Sequence, residues 1–171
     1  MANKHAPQER HTIAVIVDNE PGVLARVIGL FSGRGYNIES LTVAEVDREV
    51  GLSRINLVTI GTPMVIEQIK AQLERLVPVH SVRDLTENGP HVERELALIK
   101  VHAVGENRAE TLRLAEIFRA RVVDTTAVSF IFELTGPADK LDTFIGLMRP
   151  LGLVELARTG AAAMSRGQEP F

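Results

Sequence analysis

Cysteine and tryptophan do not occur in the 171-residue sequence, and aromatic residues account for only 4% of it. Without cysteine there is no disulfide bond, no thiolate nucleophile and no cysteine-ligated metal centre. The few aromatic side chains do not provide a platform on which nucleic-acid bases could stack. No apolar run approaches the roughly 20 residues that a membrane-spanning helix needs. The sequence therefore excludes thiol chemistry and gives no indication of a membrane span.

The charges nearly cancel, with 19 Lys and Arg against 22 Asp and Glu and a net charge of −3. This balance gives no general attraction to nucleic acid or to an anionic membrane. Residues 1–10 lack the apolar core of a signal peptide, and we expect them to form a disordered extension. We therefore expect a cytoplasmic protein, and its 171 residues allow one medium domain or two small ones.

No catalytic motif is present, since Gly-x-Ser-x-Gly, Ser-x-x-Lys and Gly-x-x-x-x-Gly-Lys segments are all missing. The carboxylate pairs Asp47/Glu49 and Glu93/Glu95 fall in predicted turns or a linker, which is typical of solvated charges. The five histidines do not have metal-ligand spacing, so we expect them to be solvated or capping side chains: His5, His11, His80, His91 and His102. We predict no catalytic and no metal-binding residue in this chain.

The most informative stretch is residues 18–39, which follows a predicted strand over 11–17. It begins as a polar turn, continues as a short amphipathic helix and leads into a second strand. The helix is indicated by apolar residues at three- and four-residue spacing, namely Val23, Leu24, Val27, Leu30 and Phe31.

The ends of this helix also have recognisable signals. Pro21 suits the first helical position, because its missing N–H would have no intrahelical partner there. Asn19 or Glu20 is placed to cap the start. Gly33 and Gly35 supply the left-handed conformation that ends a helix.

The rest of the first half supplies strands over 37–47 and 51–60, a helix that opens at Thr62, and a strand over 79–85. The resulting β-α-β-β-α-β order is the ferredoxin-like pattern, in which both helices cover one face of an antiparallel sheet. We assign this domain to residues 11–86.

Residues 87–95 interrupt the pattern, because Asn-Gly-Pro and a group of charges are typical of a linker. The same element order then repeats over 96–159, so the fold class is α+β with two tandem ferredoxin-like modules. Asn107 and Glu110 resemble a capping box at the start of its first helix. Residues 160–171 are rich in Ala and Gly, and we expect a poorly ordered tail.

Each module is small and leaves sheet edges unpaired, and both properties favour association of chains. We therefore predict a homodimer.

The open start of the first helix is the candidate binding site. The N–H groups of Gly22 and Val23 and the helix dipole favour an anion. An α-amino acid fits best, with its carboxylate at these N–H groups and its side chain against Ile38 and the first turn of the helix. Acceptors for its ammonium group are the side chains of Asp18, Asn19 and Asn37. An ordinary turn, with Gly22 present for backbone geometry alone, is the alternative interpretation.

Residues 18–43 resemble the ACT domain of the small subunits of acetolactate synthase, through Asp-Asn-Glu-Pro-Gly-Val-Leu-Ala-Arg-Val-Ile-Gly-Leu-Phe-Ser-Gly-Arg-Gly-Tyr-Asn-Ile-Glu-Ser-Leu-Thr-Val. The resemblance extends over about residues 11–167. Supporting blocks are Leu-Ser-Arg-Ile at 52–55, Val-Glu-Arg-Glu-Leu-Ala-Leu-Ile-Lys-Val at 92–101, Ile-Phe-Arg-Ala-Arg-Val-Val-Asp at 117–124, and Ala-Arg-Thr-Gly-Ala-Ala-Ala-Met-Ser-Arg-Gly at 157–167.

This resemblance implies a non-catalytic regulatory subunit. Such subunits bind a catalytic large subunit that uses thiamine diphosphate, Mg and FAD, raise its activity, and confer feedback inhibition by valine or related branched-chain amino acids. In this family the effector lies between two ACT domains, which assigns Asn19 and Gly22 of one chain and Asn37 and Ile38 of the other. The sequence departs from the family at 44–47, where many members carry a Pro- or Thr-containing turn.

Two alternative functions need features that the sequence does not show. A free-standing ACT-type amino-acid sensor that regulates another enzyme or a transcription factor would need a DNA-binding partner or a basic helix, and the sequence predicts no such helix. An independent enzyme would need a catalytic constellation, which the sequence lacks.

Overall fold

The computed structural model describes residues 7–171, which divide into two compact units. The first unit runs to Val92 and includes Ala161–Phe171, and the second is Glu93–Gly160. Of the predicted N-terminal extension, residues 1–6 lie outside the described part, whereas Glu9 and Arg10 already belong to the first strand. No helix among the described residues is long and apolar enough to cross a membrane.

The first unit has the predicted ferredoxin-like element order. Its elements are β1 (Glu9–Asp18), α1 (Val23–Arg34), β2 (Ile38–Asp47), β3 (Leu52–Gly61), α2 (Pro63–Glu74) and β4 (Val79–Asp84). Its sheet is antiparallel with the strand order β2-β3-β1-β4.

One face of this sheet packs against both helices. Side chains alternate along each strand, so every second residue of β1 points to the helices. The helices contribute buried residues at three- and four-residue spacing. The resulting core contains Ile13, Val15, Val17, Val23, Val27, Phe31, Ile55, Leu57, Ile66, Ile69 and Leu73. Each fully buried side chain of this kind contributes roughly 1.5–3 kcal/mol to folding.

The second unit repeats the architecture. Its elements are β5 (His91–His102), α3 (Glu106–Phe118), β6 (Arg121–Thr125), β7 (Ser129–Gly136), α4 (Ala138–Gly152) and β8 (Leu153–Arg158). Its sheet has the antiparallel order β6-β7-β5-β8, which confirms two tandem modules. Its last helix buries four apolar residues at helical spacing, Leu141, Phe144, Ile145 and Met148.

Two helix ends match the sequence signals. Thr62 caps α2, because its side-chain oxygen accepts a hydrogen bond from the backbone nitrogen of Val65 at 3.4 Å. Gly35 ends α1 in the left-handed conformation with φ 69°, whereas Gly33, which was expected to share this role, lies inside the helix.

Two other helix starts differ from the prediction. Helix α1 begins at Val23 rather than at Pro21, because Gly22 has φ 87° and a left-handed residue cannot belong to the helix. Helix α3 has Gly105 as its N-cap and no side-chain cap. The expected capping box is not formed, because Asn107 is already the second residue of the helix and not its N-cap. The carboxylate of Glu110 accepts two hydrogen bonds from Arg113, at 2.6 and 2.8 Å.

The linker and the tail also differ from expectation. Strand β5 begins at His91, inside the region expected to be a linker. Residues Ala162–Ser165 form a strand, β9, in the segment expected to be poorly ordered. Ala163 is buried with Ala14 and Leu85 on the sheet face that the helices leave open. Small side chains allow this close approach, so the Ala-rich composition there reflects packing.

Candidate functional site

The start of α1 is an open helix N-terminus. No side chain among the described residues caps it, and the first helical hydrogen bond runs from Arg26 N to Gly22 O at 3.1 Å. Val23 N makes only a long contact with Glu20 O, at 3.4 Å. A Cβ atom added at Gly22 would meet nothing within 4 Å. The weakly engaged N–H groups of the first turn, the helix dipole and the open space at Gly22 suit a small anion.

The loop before α1 is held by the β2–β3 hairpin. Asn19 donates its backbone N–H to the carbonyl oxygen of Gly51 at 2.8 Å, and its side-chain Nδ2 donates to Oε1 of Glu45 at 3.0 Å. The other carboxylate oxygen of Glu45 accepts a hydrogen bond from Arg48 Nε at 3.0 Å. Sequence reasoning missed Glu45, although it lies in the 44–47 segment that departs from the family pattern.

Asp18 lies at the end of β1, beside the same loop. Its Oδ1 is 2.6 Å from Nε2 of His80 on β4, and its backbone N–H donates to Pro78 O at 2.9 Å. The Asp18 carboxylate therefore already has a hydrogen-bond partner, His80 on β4, within its own chain. Both side chains are partly exposed.

Asn37 and Ile38 lie at the opposite end of the sheet. The carbonyl oxygen of Asn37 accepts a hydrogen bond from Thr59 Oγ1 at 2.6 Å. Ile38 begins β2 and pairs with Thr59, which pairs in turn with His11 on β1. His11 stands seven residues before Asp18 on β1, or roughly 23 Å at about 3.3 Å per residue. One chain therefore does not bring the six predicted site residues together.

The predicted residues thus form two half-sites. The first comprises Asp18, Asn19, Gly22 and Val23, and the second comprises Asn37 and Ile38. The first half-site offers N–H donors and an amide, which suit a carboxylate and its neighbouring polar group. The second offers an amide and a half-buried apolar side chain. Each can recognise only part of an amino acid.

A second polar group lies elsewhere in the same unit. His11, Asp84 and Glu87 place ligand-type atoms within 4.8 Å of one another, and His11 Nδ1 is 2.7 Å from Asp84 Oδ2. Lys70 hydrogen-bonds Glu67 and Glu87 at 2.5 Å, and its ammonium lies 4.0 Å from Asp84. Although burial lowers it, hydrogen bonds to these two glutamates raise the pKa of Lys70 above its usual value. Lys70 therefore supplies the positive charge that balances these carboxylates.

Comparison with known families matches both units. Residues 13–81 match a family described as the AHAS small subunit-like ACT domain, and residues 94–167 match one described as the small subunit of acetolactate synthase. A probable acetolactate synthase small subunit of Archaeoglobus fulgidus is 54% identical over 94% of this chain and 99% of that protein. This chain belongs to the acetolactate synthase small-subunit family.

Two other members of the family are also similar to this chain over most of its length. The small subunit of acetolactate synthase isozyme 3 from Salmonella typhimurium is 47% identical over 94% of this chain and 98% of its own length. The crystal structure of the acetolactate synthase small subunit from Thermotoga maritima superimposes with a TM-score of 0.84 at 40% identity, covering 94% and 99% of the two chains. Acetolactate synthase small subunits are the non-catalytic chains of their complexes, and this chain is one of them.

Proposed function

We propose that this chain binds the catalytic subunit of acetolactate synthase, raises its activity and makes it subject to feedback inhibition by valine or another branched-chain amino acid. The amino acid is held between two copies of the chain. This proposal rests mainly on the positions of the two half-sites, which lie at opposite ends of β2, an edge strand of its sheet.

A two-fold axis beside β2 would complete the site. Antiparallel pairing of two such edges reverses one strand relative to the other, so the start of β2 in one copy meets its end in the next. Ile38 would then face the partner's Glu45 region, and in each copy Glu45 is bonded to Asn19. A self-complementary interface of this kind creates two equivalent sites per dimer.

Exposed apolar residues at this edge support the dimer. Val43 and Val46 on β2 are 43% and 56% exposed, and Leu24 and Ile28 on α1 are each 37% exposed. An unpaired strand edge flanked by apolar side chains is a typical association surface. A second copy is therefore the occupant that the symmetry of the proposed site requires.

The ligand's groups match the half-sites one by one. Its carboxylate takes the N–H groups at Gly22, its ammonium meets the side-chain oxygens of Asn19 and of Asn37 from the other copy, and its branched side chain lies against Ile38. Hydrogen bonds to charged groups contribute roughly 1.5–3 kcal/mol each. After the costs of association, two or three of them give an affinity of about micromolar to millimolar, which suits metabolite sensing.

Inhibition then follows from the arrangement of the two copies. A ligand that bridges them stabilises one dimer geometry, and it shifts the equilibrium only by its differential affinity for the two geometries. Couplings of this kind amount to roughly 1–3 kcal/mol.

The proposal is tested by co-expressing the chain with an acetolactate synthase catalytic subunit from the same source. We expect the two to co-purify, activity to rise when the chain is present, and L-valine, L-leucine or L-isoleucine to lower that activity. A catalytic subunit that neither binds the chain nor changes its rate would contradict the proposal.

A further inference from the structure

Glu45, on the β2–β3 hairpin, contacts the candidate loop through its side-chain carboxylate. Its Oε1 lies 3.0 Å from Nδ2 of Asn19, and its Oε2 accepts a hydrogen bond from Arg48. An ionised carboxylate only accepts hydrogen bonds, so the amide group that faces it must be the NH2 of Asn19. The Asn19 carbonyl oxygen must then point away from Glu45.

We infer that Glu45 is a positioning residue that makes the site selective for a ligand bearing an ammonium group. By fixing the NH2 of Asn19, it leaves the amide oxygen as the group presented to the ligand. That oxygen accepts a hydrogen bond from an α-ammonium group but has nothing to offer a 2-oxo group, which also only accepts. This inference rests on the proposed amino-acid site and specifies how that site rejects the corresponding 2-oxo acid.

Hydrogen bonds to and within the hairpin hold the Glu45 carboxylate in place. The backbone of Asn19 is fixed to Gly51, so the side chains of Asn19 and Glu45 cannot drift apart freely. Asp47 Oδ1 accepts hydrogen bonds from the backbone nitrogens of Glu49 and Val50, at 3.0 and 3.1 Å, and closes the turn. The charge of Glu45 would repel the ligand's carboxylate, and Arg48 offsets it.

The test compares two ligands on the full-length chain by isothermal titration calorimetry. The ligands are L-valine and 3-methyl-2-oxobutanoate, in which an oxo group replaces the α-ammonium group and the α-hydrogen of valine. In Glu45→Ala the Asn19 amide is free to turn, so we expect the preference for L-valine over the 2-oxo acid to fall about tenfold, the value of one hydrogen bond. The matched control is Glu49→Ala, which removes the same charge from the same hairpin and should keep the preference.

A second variant separates orientation from charge. Arg48→Ala leaves Glu45 bonded to Asn19 but removes the offsetting positive charge, which weakens the net-anionic 2-oxo acid at least as much as zwitterionic L-valine, so the preference for L-valine should not fall. Circular dichroism melting confirms that each variant is folded.

The outcomes distinguish this inference from the proposed function. If the wild-type chain binds L-valine and Glu45→Ala keeps the full preference, or loses both ligands equally, Glu45 does not orient Asn19 and the inference is wrong. If the wild-type chain binds no branched-chain amino acid, the proposed site itself is wrong.

Discussion

Replacing Gly22 by Asp should abolish the response to the amino acid while leaving the fold intact. Gly22 has φ 87°, and a Cβ there meets nothing within 4 Å, so the only structural cost is backbone strain. Asp and Asn tolerate the left-handed region better than other residues, which makes that cost about 1 kcal/mol. The new carboxylate would occupy the space in front of the helix N-terminus and repel the ligand's own carboxylate.

The expected loss of affinity follows from the contacts removed. Two N–H hydrogen bonds to a carboxylate contribute roughly 1.5–3 kcal/mol each, so losing about 3 kcal/mol weakens binding more than a hundredfold. Gly22→Asn is the matched control, because it has the same shape and strain without the charge. It should melt at the same temperature as Gly22→Asp and bind more tightly.

The assay is calorimetric titration with L-valine, followed by activity measurements with the catalytic subunit. Gly22→Asp should still activate the catalytic subunit, because the substitution does not disturb the fold, and it should no longer respond to valine. An unchanged valine affinity in a folded Gly22→Asp protein would refute the assignment of the helix start to the ligand's carboxylate.

Three further predictions address other parts of the structure. Asn37→Ala should weaken valine about tenfold without lowering the melting temperature, because the hydrogen bond from Thr59 goes to the Asn37 backbone; equal affinity by calorimetry would remove Asn37 from the site. Asp84→Ala should lower the free energy of unfolding by roughly 3 kcal/mol in urea titrations, since Asp84 is the close partner of buried His11 and also accepts hydrogen bonds from the backbone nitrogens of Thr86 and Glu87, and a cost under about 1 kcal/mol would contradict this. Ala163→Asp places a charge against buried apolar residues, so it should release the tail after Gly160 from the sheet and speed its proteolysis. Digestion of the variant at the wild-type rate would contradict the packing of this tail.

The fold could be predicted because each element has a local signal. Helices α2 and α4 have apolar residues at helical spacing, and Thr62 with Pro63 is a strong start signal. The ferredoxin-like topology then follows from the order of strands and helices, since that order has few alternative arrangements.

The errors have physical causes that local patterns do not contain. Pro21 looks like a first helical residue, but the left-handed Gly22 after it moves the start to Val23. The Ala-rich tail looks flexible, but Ala163 is small enough to lie on the sheet against Ala14. Both outcomes depend on contacts or backbone angles that neighbouring residues do not determine.

Only part of the candidate site could be predicted from the sequence. The helix start could be found because Gly and Asn in that position indicate an anion site. Glu45 could not, because its contact with Asn19 joins residues 26 positions apart. The pairing of His11 with Asp84 spans 73 positions and was missed for the same reason.

The most direct measurement is valine binding to hybrid dimers made by mixing Gly22→Asp and Asn37→Ala chains. Each variant alone has two damaged sites. In a hybrid, Gly22 of one chain meets Asn37 of the other and forms one intact site, so random exchange should restore binding at roughly a quarter of all sites. If mixing after full subunit exchange restores no binding, the amino acid is not held between two copies and the account is wrong.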